Sequence, residues 1–359
     1  MSKTVGLVMI VKNEEQHLEK CLSCAQKLVD KIYITDTGST DKTIEIANHF
    51  GAHVTHFGWV NDFAAARNFS LDQSDCDWNL VLDADEHLLS GDREDILKFI
   101  ENGNRNGAIQ IRNFCKSPDG ELAVDLSLAT RLFPKGTRYT GKIHEQIDSD
   151  LPSVKLPLVF EHDGYLIEGK GERNLAILLT QVKEDPGNPY TLFQTAHTLR
   201  LLNEFDRADP YYQEFYRLIP ESAGYRRSGV LSYLKNLMAQ NAYERALELI
   251  QNERHRMTDC ADYHFLCGNF FTKLVLSDIQ RYISFLPEIE SSYRHCLEIG
   301  ERALYDGQVG CGSFLAAYNL GVWYEVNGKI HEARALYQQS AADGYALAAE
   351  RLKILESMH

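Results

Sequence analysis

The chain of 359 residues is long enough for two domains with real cores, and its 44% hydrophobic and 25% charged content is that of an ordinary soluble globular protein. A net charge of −14, from 37 basic and 51 acidic residues, opposes nucleic acid as a partner and is compatible with a basic peptide. No apolar run approaches bilayer-spanning length, the run ending at Lys12 is too short for a secretory signal, and eight scattered cysteines do not frame disulfides. The expected compartment is the cytoplasm.

Val5-Gly6-Leu7-Val8-Met9-Ile10-Val11 has the length of a buried strand and gives way to the polar Lys12-Asn13-Glu14-Glu15. A helix follows, with Leu18, Leu22 and Ala25 on one face. It also carries Cys21 and Cys24, a C-x-x-C with no second pair at zinc spacing, which reads as packing. Lys31-Ile32-Tyr33-Ile34-Thr35 is a second strand ending in Asp36-Thr37-Gly38-Ser39-Thr40-Asp41. Ser39, Thr40 or Asp41 is available to cap the next helix. Residues 52–55 form a short third strand, residues 63–72 a helix, and Trp78-Asn79-Leu80-Val81-Leu82 a fourth strand. Strands alternating with helices imply a parallel sheet with right-handed crossovers.

The fourth strand runs into Asp83-Ala84-Asp85-Glu86. The carboxyl edge of an open α/β sheet is where ligands bind, and clustered acids there suit a hard divalent cation such as Mg²⁺ or Mn²⁺. No Gly-x-Gly-x-x-Gly follows the first strand and no Walker-type phosphate loop is present, which excludes the common dinucleotide and triphosphate fingerprints.

The order Val-Lys-Asn-Glu-Glu, Asp-Thr-Gly-Ser-Thr-Asp, Ala-Arg-Asn, Asp-Ala-Asp-Glu resembles the inverting family 2 glycosyltransferases with the GT-A nucleotide-sugar fold, over roughly the first 165 residues. The resemblance implies that Asp36 contacts the base of a uridine nucleotide, beside Val11, Asn13 and Glu14. It implies that Arg67 faces the nucleotide or its phosphates, that Asp83 and Ala84 lie near ribose and donor sugar, and that Asp85 holds the metal on the diphosphate.

Residues 108–112 and 127–133 read as further strands, with Ser117-Pro118-Asp119-Gly120 a turn between them. Tyr139-Thr140-Gly141-Lys142-Ile143-His144-Glu145 then resembles the family's Tyr-x-Gly-x-Ile/Val-His-Glu segment, and His162-Asp163-Gly164-Tyr165 its His-x-Gly-Tyr. An inverting single displacement requires a carboxylate near the acceptor to take its proton. Glu145 is the first candidate, with Glu161 and Asp163 in reserve. His162 is the expected further metal ligand; His144 is the alternative, or orients acceptor or donor phosphate.

After about residue 170 strand-like runs vanish. Helices are expected over 172–184, 190–202 and 205–218, broken by Asp185-Pro186-Gly187-Asn188-Pro189. Leu320-Gly321-Val322-Trp323-Tyr324 matches the tetratricopeptide Leu-Gly-x-x-Tyr, and Ala208, Ala246, Cys296 and Ala333 fall at the small second-helix position. Their spacings exceed the ~34-residue template, so insertions are expected, the longest near residues 276–290. The reading is therefore a GT-A domain over 1–170 followed by an all-α repeat domain over 171–359.

That combination resembles soluble bacterial transferases that glycosylate peptides or proteins, including S-glycosyltransferases that place glucose on a cysteine of bacteriocin precursors such as sublancin. The resemblance implies a UDP-sugar donor, UDP-glucose first, a Mg²⁺ or Mn²⁺ cofactor, and a Cys or Ser/Thr acceptor. The repeats would grip the acceptor or pair two subunits as a homodimer. The rival readings are transfer to a lipopolysaccharide or other envelope glycan, and a catalytically silent repeat scaffold.

Overall fold

The computed structural model describes residues 3–101, 103–116, 122–162, 170–301 and 307–357. The turn expected at 117–120 and the segment Asp163-Gly164-Tyr165 lie outside the described residues. The chain divides into two compact units, Met1–Glu184 and Asp185–His359.

The first unit runs β1 (Val5–Val11), α1 (Leu18–Ala25), β2 (Lys31–Asp36), α2 (Thr43–His49), β3 (His53–His56), α3 (Phe63–Gln73) and β4 (Trp78–Val81). Then come β5 (Glu86–Ser90), α4 (Arg93–Glu101), β6 (Asn106–Lys116), β7 (Leu122–Pro134), β8 (Arg138–Thr140), β9 (Gln146–Asp148), β10 (Ser153–His162) and α5 (Lys170–Glu184). The main sheet has the order β3-β2-β1-β4-β7-β6-β10-β5, and β8 and β9 form a separate antiparallel ribbon. Strands β3, β2, β1 and β4 are mutually parallel, β7 is antiparallel to both β4 and β6, β10 runs parallel to β6, and β5 closes the edge antiparallel to β10. The sheet is thus mixed, with its parallel half as the alternation of strands and helices requires.

Strand β1 shows why both faces are covered. Val5, Leu7, Met9 and Val11 join one core with Leu18, Cys21, Leu22 and Ala25 of α1 and Ile96, Phe99 and Ile100 of α4. Val8, one residue out of phase, joins Ala64 and Leu71 of α3 and Phe133 on the other face. Cys21 is a packing residue: it is fully buried in that core, and burial pushes its thiol pKa well up.

Helix α5 belongs to this unit, not to the repeats, which moves the boundary from residue 170 to residue 184. Ile177 and Leu178 of α5 pack on Ile143, with Trp59 and Phe63 against them, so its apolar face covers the loop after β8. A helical period alone does not say which neighbour its apolar face will meet.

The second unit contains α6 (Pro189–Leu201), α7 (Phe205–Leu218), α8 (Arg226–Ala239), α9 (Tyr243–Glu253), α10 (Ala261–Ser277), the short α11 (Ile279–Tyr282), α12 (Leu286–Ile299), α13 (Phe314–Val326), α14 (Ile330–Ala342) and α15 (Ala346–Ser357). Asn188 caps α6 by accepting from Thr191 N at 3.1 Å, just ahead of Pro189 at the first turn. Ala208, Ala246, Cys296 and Ala333, the expected small positions, are all 0% exposed, on α7, α9, α12 and α14. Helix α11 and a 3₁₀ turn over Ile283–Phe285 occupy the expected insertion. This is a tetratricopeptide-like array in which each helix pair hides its apolar face only against a neighbour. Among the described residues no helix is long and apolar enough to cross a membrane.

Glycines set the helix spacing in the array. A Cβ on Gly229 of α8 would lie 2.2 Å from Phe215 Cζ, one on Gly268 of α10 2.6 Å from Tyr293, and one on Gly321 of α13 2.8 Å from Tyr337. Phe215 is 0% exposed, so it has little room to retreat. Gly229→Ala therefore lowers the unfolding free energy by about 1–3 kcal/mol through overpacking. Gly224→Ala, where a Cβ meets nothing within 4 Å, leaves it near wild type; urea denaturation of the two variants checks the contrast.

Candidate active site

Strand β1 is flanked by β2 on one side and β4 on the other, so the chain reverses its direction of travel across the sheet at β1. The crevice outside the carboxyl ends of such strands is the ligand position of open α/β sheets. Loops after β1, β2, β4 and β8, together with α3, β7 and the end of β10, supply it.

The loops after β1 and β2 are laced together. Asn13, in the left-handed region at φ 55°, accepts from Thr40 N at 2.8 Å through Oδ1, and its own N–H donates to Ser39 Oγ at 2.9 Å. Glu14 N donates to Thr43 Oγ1 at 2.7 Å, and Asp41, one of the three capping candidates, accepts from Thr43 N at 3.0 Å. Val11 is buried in the core, and its carbonyl accepts from Thr37 N and Thr37 Oγ1. Asp36 accepts from Gly38 N at 3.1 Å and Ser39 N at 3.0 Å, with His56 Nδ1 at 3.4 Å. Burial raises the Asp36 pKa, but the hydrogen bonds from Ser39, Gly38 and His56 outweigh it and bring the carboxyl below its ordinary value. Asp36 is thus an ionised acceptor in a fixed orientation.

The acids after β4 face two arginines. Arg67 of α3 donates from Nη2 to Asp83 Oδ1 at 2.8 Å and from Nε to Glu145 Oε1. Arg131 of β7 donates from Nη2 to Asp83 Oδ2 at 2.8 Å and to Glu86 Oε1 at 2.5 Å, and Glu86 Oε2 accepts from Asp83 N at 2.9 Å. Burial opposes the charge on Asp83, yet Arg67 and Arg131 hold its pKa far below the usual carboxylate range. Burial dominates at Glu86, whose pKa is raised.

The Ala66-Arg67-Asn68 triplet is explained by the packing of α3. Asp62 caps the helix by accepting from Ala65 N at 2.8 Å, Ala66 is fully buried, and Ser70 Oγ donates to Met9 O at 3.0 Å. Asn68 clasps the backbone of Tyr139, donating to its carbonyl at 2.9 Å and accepting from its N–H at 2.8 Å. The Tyr139 ring lies under the Arg67 guanidinium at 5.5 Å, a cation–π contact. Arg67 Nη1 is buried without a hydrogen-bond partner among the described residues, which leaves one donor unused.

His144 and Glu145 follow β8. His144 sits at φ 50°, burial lowers its pKa while Glu145 opposes the shift, and its Nε2 is buried without a partner. It is a neutral imidazole at pH 7. Glu161 lies next to the end of β10 in register with Arg112 and His87, and Asp163 is outside the described residues.

Asp85 and His162 are brought together: Asp85 is 5% exposed and its Oδ2 lies 3.2 Å from His162 Nε2. Burial opposes protonation of His162, but Asp85, backed by Glu86 and Asp83, outweighs it and raises the imidazole pKa. An imidazole nitrogen that close to a carboxylate needs a hydrogen or a metal ion between the two lone-pair atoms. Among the described residues no group of three or more His, Cys, Asp or Glu side chains is placed to hold a metal. The oxygen and nitrogen donor set of this pair fits a divalent ion that takes its remaining ligands from phosphate and water. Ala84 does something else: its side chain is 4% exposed and packs in the main core, so only its backbone can face a ligand.

Residues 7–150 match the family model described as Glycosyl transferase family 2. The first unit is a family 2 glycosyltransferase domain. A tetratricopeptide repeat-containing protein of Synechococcus elongatus is 46% identical over 153 residues, 42% of this chain and 37% of that protein's length. The chain therefore spans well under half of that relative. The SPbeta prophage-derived glycosyltransferase SunS of Bacillus subtilis is 25% identical over 304 residues, covering 80% of this chain and 70% of SunS. Among solved structures, S. aureus TarS matches 68% of this chain and 54% of its own, at 12% identity and a TM-score of 0.38.

Sequence reasoning missed Arg131 as a member of this cluster, and named Glu86 and Tyr139 only within their motifs, with no role of their own. The available signal was an arginine in the otherwise uncharged run Leu128-Ala129-Thr130-Arg131-Leu132-Phe133, because a buried charge requires a partner. Arg67→Met would leave Asp83 and Glu145 each short of a counter-ion. It lowers the unfolding free energy by about 3–5 kcal/mol, the scale for breaking one side of a buried pair, as read by denaturant titration.

Proposed function

We propose that the protein is a metal-dependent inverting glycosyltransferase that moves a hexose, glucose first, from a UDP-sugar to a Cys or Ser/Thr side chain of a peptide or protein. One observation carries this reading. Asp83 from the donor side and Glu145, the candidate base, share a single guanidinium, so acids far apart in sequence act within one cluster.

In this reading Asp36, ionised and fixed by its own turn, accepts from the imide N–H of the uracil. Asn13 and Glu14 shape the wall beside it. Asp85 and His162 would hold Mg²⁺ or Mn²⁺, which as a Lewis acid would offset the charge of the leaving diphosphate. Arg67 Nη1 supplies a further donor for an anionic oxygen. Asp83 stays charged near the donor sugar because two guanidiniums prevent its protonation.

Glu145 takes the acceptor's S–H or O–H proton as the sulfur or oxygen attacks the anomeric carbon from the face opposite the diphosphate. One bond forms as the other breaks, and the configuration inverts. Neutral His144 offers a polar nitrogen beside that carboxylate to orient the acceptor. The helical array supplies a surface for the acceptor polypeptide or for a second copy.

Incubating the protein with a panel of UDP-sugars, Mn²⁺ and Cys- or Ser-bearing peptides gives a hexose mass increment on a peptide; absence of both transfer and UDP-sugar hydrolysis would overturn the proposal. Asp85→Ala abolishes metal-dependent turnover. Glu145→Gln leaves UDP-sugar affinity near wild type and lowers kcat by ~10²–10⁴-fold, with a smaller loss for a thiol acceptor that is already partly ionised. Steady-state kinetics with separate donor and acceptor titrations distinguish these outcomes.

A further inference from the structure

Asn113 on β6 is buried where three strands meet. It is in register with His162 of β10 on one side and Asp125 of β7 on the other. Its side-chain amide joins them: Nδ2 donates to Asp125 O at 3.3 Å and to Ser127 Oγ at 3.0 Å, while Oδ1 lies 3.1 Å from His162 Nδ1.

The orientation of that amide follows from chemistry. A backbone carbonyl only accepts, so the atom facing Asp125 O must be the amide nitrogen. The oxygen must then face His162, and an amide oxygen only accepts, so His162 Nδ1 must carry its hydrogen. With Nδ1 acting as donor, Nε2 is the ring nitrogen that is presented to Asp85. A metal-ligating histidine is ordinarily held in this way, with its second nitrogen donating to an oxygen that fixes tautomer and ring plane.

We propose that Asn113 is a positioning residue that holds His162 as an Nε2 ligand for a divalent cation shared with Asp85. This rests on the glycosyltransferase reading above. Asn113 touches neither donor nor acceptor; it acts through the imidazole. The strand pairing makes the arrangement specific, because His162 is also in register with Glu86 on β5, so one row across the sheet joins orienting amide, ligand and acidic loop.

The test is Mn²⁺ binding by the full chain in the presence of UDP, followed by calorimetry and by the ¹⁴N modulation that a histidine ligand imposes on Mn²⁺ in pulsed electron paramagnetic resonance. Asn113→Leu is expected to weaken Mn²⁺ binding ~10–100-fold and to erase or shift the nitrogen signal, with UDP affinity in the absence of metal unchanged. Asn113→Asp, which keeps an oxygen acceptor for Nδ1–H, retains both. Asn113→Ala provides the same comparison if the leucine variant fails to fold. Wild-type Mn²⁺ affinity and nitrogen signal in Asn113→Leu or Asn113→Ala would overturn the role of Asn113 alone. Absence of the nitrogen signal in the wild-type protein would overturn the metal assignment of His162 with it.

Discussion

Arg67 is the constraint on which the site depends. Its guanidinium reaches Asp83 from the loop after β4 and Glu145 from the loop after β8, and Arg131 holds Asp83 from the other side. Carboxylates crowded at a sheet edge repel one another, and burying them costs several kcal/mol each unless a counter-charge lies within hydrogen-bond reach. The counter-charges come from a helix and an antiparallel strand, so four chain segments must converge before the cluster is stable. Convergence is enforced by ordinary packing: the Asp62 cap, the Ser70 bond to β1, and the Asn68 clasp on Tyr139. Buried ion pairs are poor sources of stability compared with apolar residues of similar size. Their presence here is better explained by the charges they hold in place than by fold energy.

The cluster uses two kinds of counter-ion. A guanidinium does not titrate near neutrality, so Asp83 is charged at every working pH. The imidazole facing Asp85 is different, because the hydrogen it presents to that carboxylate is a proton that a cation can replace. In the proposed reaction the first kind fixes the charge near the donor sugar, and the second makes room for the ion that binds with the nucleotide.

Much of this was legible in the sequence. The parallel half of the sheet followed from apolar runs of strand length separated by helical periods, since β1 and β4 are buried along nearly their whole length. The acids at 83–85, the Asp36 turn and the pairing of Asp85 with His162 could be anticipated because each sits at a strand end. The partners of Arg131 and Asn113 could not. Both residues lie inside long strands, and their partners are set by cross-strand register between β4, β6, β7 and β10, which a single sequence does not encode locally. The domain boundary was misplaced for a related reason: Ile177 and Leu178 mark an apolar helix face, but nothing in the helix says that it covers Ile143. The repeat positions were easier, because a small residue at the helix crossing is a local steric demand, and all four anticipated positions are fully buried.

The loop carrying the candidate base shows how local strain is held by distant packing. His144 has φ 50°, a conformation that costs a non-glycine side chain on the order of 1–3 kcal/mol and persists only where the surroundings over-determine it. The other non-glycine residues at positive φ among those described are all asparagines, which tolerate it best. The surroundings of His144 meet the requirement. Gly141, at φ 90°, turns the chain, and Lys142 O accepts from Phe63 N at 2.7 Å while its Nζ binds Glu184 at 2.6 Å. Ile143 is buried against α5, and Glu145 is tied to Arg67. Each residue from 141 to 145 other than His144 thus has its own anchor or turn, and the imidazole Nε2 is carried into a buried position by neighbours on both sides. A loop that needed only to connect β8 to β9 would have no use for that expenditure, whereas one that must hold a carboxylate and a neutral imidazole side by side does.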